Sequence, residues 1–278
     1  MLGKQQQDAK DVAVAAQAGR DVTVNYGLKM SDVKELTQIF LEKNLPALRD
    51  EAANIARANA ASFLNEFAEK LASSGKVSQE AFAQPDAQAC FSRALNDGAL
   101  KGKKIDLGIL AEMVVKRLEA SDDDLMSLVY EGALEALPRL SAAQVSFLAW
   151  VHYMKSVRHN AIYSLEALDN IAAKLMPVFA AGFDLSDANK HYMSSLGLLT
   201  INLIADADQL FENLCKNYDF LPKNREEIIA QAPSLGLLIT KYGECRIPTI
   251  FLSATGQLIG VIAIKKVILG ADPKIWIY

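Results

Sequence analysis

Cysteine and histidine are both scarce in this 278-residue chain, with three of each. Cys90, Cys215 and Cys245 share no CxxC spacing. That argues against a disulfide framework and against a structural zinc site. So few histidines leave little with which to build a zinc enzyme, and no metal or other cofactor is expected. A basic excess is missing too: 29 Lys and Arg stand against 33 Asp and Glu, a formal net charge of −4. Proteins that grip nucleic acid through its phosphates carry the opposite balance, so nucleic acid is disfavoured as a partner unless a local basic patch serves it. The opening MLGKQQQDAKD lacks the apolar core of a signal peptide. The most apolar stretch, Ile247 to Leu269, carries Lys265, Lys266, Gly256 and Gly260, and is neither long nor clean enough to span a bilayer. No membrane segment is expected, and the cytoplasm is the expected compartment.

What is present is apolar and helix-forming. Hydrophobic residues make up 51% and charged residues 22%, so the chain can bury a core. The reading is a mainly α protein: a helical bundle with short N-terminal β-strands and a winged-helix-like α+β C-terminal part. Three regions follow from it: an arm at 1–30, a helical bundle at 31–140, and a winged-helix-like domain at 141–278 with a helical insert at about 206–245.

The arm contains an echo. Asp11-Val12-Ala13-Val14 recurs as Asp21-Val22-Thr23-Val24, each after a basic residue, with Gly19 available for a turn between them. Val12, Val14, Val22 and Val24 alternate as in short strands. Two strands this short need a partner surface. Copies of the same arm supply one, so these valines are the candidate self-association residues and a homo-oligomer is expected. The alternative is a hairpin or loose arm on the protein's own body.

From Ser31 to Ser73 there is one proline, Pro46, and no glycine, and apolar residues recur every three or four positions. This predicts a long helix, kinked or divided at Pro46. Asn59 falls on or beside its apolar stripe. Ser74-Gly75-Lys76 predicts the stop and Pro85-Asp86 the restart, with turns at Asp97-Gly98 and Lys101-Gly102-Lys103. Helices are predicted at Leu107–Leu118 and Leu125–Leu137. The run Ser121-Asp122-Asp123-Asp124 reads as a cap for the second, with a divalent-cation loop as the weaker alternative.

In the C-terminal half, Ser141 opens a helix in which His152 and His159 lie seven apart, near Lys155 and Arg158. These four form a candidate polar or anion-binding face, against the plainer reading of a polar surface beside Trp150 and Tyr153. Helices at Ser164–Met176 and Asp187–Leu196 and a strand at Leu198–Leu203 follow. Further strands are expected at Thr249–Ser253 and Leu258–Ile264, with a turn at Ala254–Gln257. Three helices, a strand and a hairpin outline a winged helix. Its recognition helix would be Asp187–Leu196, with Asn189, Lys190 and His191 early in it, poor material for a phosphate-facing surface.

The segment Gln17–Val24 (QAGRDVTV), followed by Tyr26-Gly27-Leu28 and the alanine-rich helix, resembles uncharacterised bacterial helical proteins with a QAGxDVxV arm. The ending Phe251–Gly260 (FLSATGQLIG) resembles a wing-like tail of bacterial proteins, some associated with abortive infection or antiphage defence. The resemblance covers the two ends and implies a bacterial host and a defence role. It brings no catalytic residue. The expected function is a non-enzymatic, self-associating sensor or adaptor with a possible protein partner. The alternatives are a DNA-binding transcriptional regulator and an enzyme whose site gathers distant residues such as His152, His159 and Glu166. Glu166 follows His159 by seven, so the three share a helix face only if the chain stays helical through Asn160.

Overall fold

The computed structural model describes residues 45–74, 77, 84–120, 125–202 and 209–268. The arm with Val12, Val14, Val22 and Val24, the start of the long helix before residue 45, and the acidic run at 121–124 lie outside the described residues.

The first described helix, α1 (Leu45–Ser74), is 30 residues long. Pro46 is the second described residue of this helix, and the stretch before residue 45, across which a kink or division was expected, lies outside the described residues. The helix stops at Ser74, as expected. Phe63 and Phe67 are its buried anchors, and both rings pack on Phe91 of α2 (Pro85–Lys101). The expected turn at Asp97-Gly98 is absent. Gly98 continues α2, buried where a Cβ would lie 3.2 Å from that of Phe63. A smooth helix surface at that point admits the phenyl ring, so the glycine serves packing and not a turn. The turn comes at Gly102, whose φ of 51° suits glycine. The amide of Asn59 donates to the Ala99 carbonyl at 3.0 Å there, which gives that stripe-edge residue its place.

Helices α3 (Leu107–Glu119) and α4 (Leu125–Ala136) follow, both strongly apolar on the core side. Arg117 of α3 is 4% exposed and its guanidinium reaches Asp86 of α2 at 2.5 Å and Glu131 of α4 at 2.9 Å. Next come α5 (Ala142–Ser156), α6 (Leu165–Phe179) and α7 (Asp187–Ser195). Strand β1 (Leu199–Ile201) pairs antiparallel with β2 (Ile250–Leu252), with Thr200 opposite Phe251 on the exposed side. Between the strands runs the helical insert: α8 (Gln209–Asn217), α9 (Arg225–Gln231) and α10 (Pro233–Glu244).

The last element departs from expectation. Residues 254–264 form a helix, α11 (Ala254–Lys265), and not a turn and a second hairpin strand. Ser253 caps it by accepting the Gly256 N–H at 3.1 Å. Its run of Leu258, Ile259, Val261, Ile262 and Ile264 is buried on every side, the signature of a central helix and not of a half-buried strand. The strand pairing expected of a wing comes from β1 and β2 instead, across the insert. The result is a mainly helical bundle with a small two-stranded sheet, and the outline α5-α6-α7-β1-β2 remains winged-helix-like.

The described residues from Ala53 onward form one compact unit. Within it α11 packs on α5 and α4 and touches α3, so it links the two stretches of sequence on either side of residue 140. Two glycines four apart make the approach possible. A Cβ on Gly256 would fall 2.0 Å from the Leu198 carbonyl oxygen, and one on Gly260 would fall 2.7 Å from that of Leu148.

Candidate functional site

The candidate polar face begins on α5. Ser141 and Gln144 form a reciprocal capping box: Ser141 Oγ accepts the Gln144 N–H at 3.3 Å and Gln144 Oε1 accepts the Ser141 N–H at 2.8 Å. The same Gln144 donates to Asn189 on α7 at 2.9 Å, which ties those two helices together. α5 ends at Ser156, and Val157 is already extended. The spacing of seven therefore does not carry His152 and His159 onto one helix face.

The four residues occupy three environments. His152 is fully buried beneath α11, and burial pulls its imidazole down to about 4, so it is neutral near pH 7. Lys155 turns to the sheet. Its Nζ donates to the carbonyls of Pro248, at 3.1 Å, and Ile250, and stands 4.2 Å from the centre of the Phe251 ring. Desolvation pulls that lysine down to about 8. Arg158 and His159 lie past the helix end, on a pocket of about 380 Å³ between the α5–α6 connection and the end of α8.

Among the described residues, that pocket is where two of the four candidates, Arg158 and His159, meet. The His159 backbone N–H donates to the Tyr218 hydroxyl at 2.8 Å, and His159 Nε2 lies 3.2 Å from the Tyr153 hydroxyl. Burial lowers the His159 pKa and raises that of Tyr153, so both are neutral at pH 7. Asn160 and Asn217 add amides, Arg158 an exposed cation and Asp219 an exposed carboxylate, and Tyr163 presents an 81% exposed ring. Among the described residues no hydrogen bond joins His159 to a carboxylate that would orient it as a general base. The group is equipped to bind by hydrogen bonds, charge and an aromatic face. Glu166 is exposed in the first turn of α6, beyond the break in the helix, and shares no helix face with either histidine. Among the described residues no group of three His, Cys, Asp or Glu side chains stands close enough to hold a metal ion.

The expected recognition helix turns its cation inward. Lys190 of α7 is 6% exposed, and its Nζ donates to Asp187 Oδ1 at 2.8 Å and to the Cys245 carbonyl at 3.1 Å. Asn189 faces Gln144. α7 exposes Asp187, Ala188, His191, Tyr192 and Ser195.

Two further clusters had no local sequence signal. Glu112 of α3 bridges Lys70 of α1, at 3.3 Å, and Lys265 of α11, on the wall of a pocket of about 310 Å³. Burial pushes this carboxyl up, but the two ammonium groups outweigh it and hold the group below the usual carboxylate range. The partners lie 42 and 153 residues from Glu112, so only the packing of three helices brings them together. The second is an apolar pocket rimmed by lysines near Asp106. The thiols of Cys90, Cys215 and Cys245 are free and half-buried, and burial pushes Cys90 up to about 11.

A protein-family model matches residues 27–223. The chain belongs to that family. The matched span runs from before α1 through α8, and so crosses both halves of the helical body. It overlaps neither QAGRDVTV nor the FLSATGQLIG ending. No curated protein and no solved structure matches the chain. Among the described residues no helix is long and apolar enough to cross a membrane.

Proposed function

We propose that this chain is a non-enzymatic interaction protein, an adaptor or sensor whose winged-helix-like part contacts protein. The inward turn of Lys190 carries this reading. A helix that enters a DNA groove needs outward cations to meet phosphates. Here the one lysine of α7 is spent on Asp187 and a backbone carbonyl, while Asp187, His191 and Tyr192 face out. Self-association through Val12, Val14, Val22 and Val24, and a role in bacterial defence, belong to the same proposal. Both rest on sequence pattern and resemblance.

Light scattering on the full chain and on a version starting at Ser31 tests the assembly part. The expected result is a multiple of 30.3 kDa that falls to a single-chain mass on truncation. One chain's mass in both samples would remove self-association from the proposal.

A second reading, a DNA-binding regulator, is favoured by the order of three helices and two paired strands. Fluorescence anisotropy with a labelled duplex at low salt separates the two. Salt-sensitive binding that weakens in Arg158→Ala and His191→Ala would replace the first reading with the second. No binding at low salt would leave protein contact as the use of this face.

A further inference from the structure

The lysine-rimmed cavity at the opposite end of α5 has a composition that none of the functions above employs. It lies between the turn after α2, the first turns of α3 and α5, and the last turns of α6 and α11, with a volume of about 330 Å³. That is the low end of the range for small-molecule sites. Its wall is apolar, from Ile105, Ile109, Leu137, Leu140, Val145 and Val178. Its charged groups are Lys103, Lys104, Lys266 and Asp106.

Electrostatic accounting decides what the cavity accepts. Asp106 is fully engaged: Oδ1 accepts the Ile109 N–H at 3.0 Å as the N-cap of α3, and Oδ2 takes the ammonium of Lys266. Those two charges cancel. Lys103 and Lys104 are exposed and, among the described residues, enter no ion pair. The net field at the mouth is therefore that of two lysines over an apolar floor. A hydrocarbon tail gains by leaving water for that floor, and a single negative head is drawn to the rim. A cation is repelled, and a small hydrophilic anion leaves the floor unused.

We infer that this cavity binds a small apolar monoanion, of the medium-chain carboxylate class. The reading is independent of the function proposed for α7 and of self-association.

Isothermal titration calorimetry of the full chain with sodium decanoate tests it, alongside decanol and sodium acetate. Decanoate is expected to bind saturably at one site, at least tenfold tighter than decanol, with no heat from acetate. The double variant Lys103→Ala/Lys104→Ala is expected to weaken decanoate about tenfold while melting as the parent does, the effect of losing a hydrogen bond to a charged group. Val145→Phe, which fills the floor, is expected to abolish binding of both decanoate and decanol. The inference fails if decanoate gives no saturable binding, if decanol binds equally well, or if the lysine variant binds decanoate like the parent. It fails equally if Val145→Phe, folded by its melting curve, still binds.

Discussion

A Cβ built on Gly260 would stand 2.9 Å from the Cβ of His152, closer than two such carbons come in folded proteins. α11 and α5 therefore touch backbone to backbone at this crossing, and the close approach buries the imidazole completely. Gly256, one turn earlier, brings the same helix against the Leu198 carbonyl, which also accepts the Ser253 N–H at 3.0 Å.

Alanine at Gly260 must push α11 away from α5. The expected loss is about 1–3 kcal/mol, the range for overpacking a close-packed core. Gly256→Ala is expected to lose more, because the atom in the way is backbone and is already engaged in a hydrogen bond. Gly243→Ala is the contrast: its nearest neighbour is an arginine tip at 3.8 Å, and helix propensity there favours alanine by up to about 1 kcal/mol. Urea denaturation midpoints check all three, and a Gly260→Ala variant as stable as the parent would disprove the backbone contact.

Buried His152 makes stability depend on pH with a definite sign. Its pKa falls from 6.5 to about 4 on folding, so between those values the unfolded chain takes up a proton that the folded chain excludes. Stability is full above the unfolded value and falls as pH drops toward the folded one. Between about pH 7.5 and pH 5 the contribution is about 2 kcal/mol. His159 is lowered in the same direction, so the wild-type curve alone does not isolate His152. Denaturant titrations at both pH values should show a smaller loss in His152→Leu than in the parent. Equal losses would mean that His152 is not the buried titrating group.

Glu112→Gln removes the charge that holds Lys70 and Lys265 together and leaves two ammonium groups facing one another. The lysines are partly exposed, so the expected cost is only about 1–2 kcal/mol, and smaller at high salt. Melting curves at low and at about 0.5 M salt should converge for parent and variant. A gap that salt does not narrow would mean that lost packing, and not charge, sets the cost.

Local signals were legible wherever chemistry acts over a few residues. Ser141 at a helix start, Gly102 at a turn with positive φ, and Pro85 at a helix restart all stand in the sequence as local signals, and the structure uses them so. Periodicity was less secure in uniformly apolar runs. Residues 258–264 carry no polar positions to reveal a period, and β-branched residues there favour the strand reading. Only burial on all sides makes a helix of them. Gly98 misled for a related reason: a glycine required by a phenyl ring on another helix looks the same in sequence as one required by a turn.

By itself the sequence determined the helical class and most of the described helix boundaries, because these depend on composition and on contacts between near neighbours. Tertiary structure alone decided that His152 is buried while Arg158 and His159 line a pocket, since a helix end at Ser156 separates them. It alone decided that Lys190 faces inward, that Glu112 joins three helices, and that two lysines crown an apolar cavity. Each is set by how far-separated helices cross, and crossing is governed by small residues and complementary shape, which no short window of sequence contains.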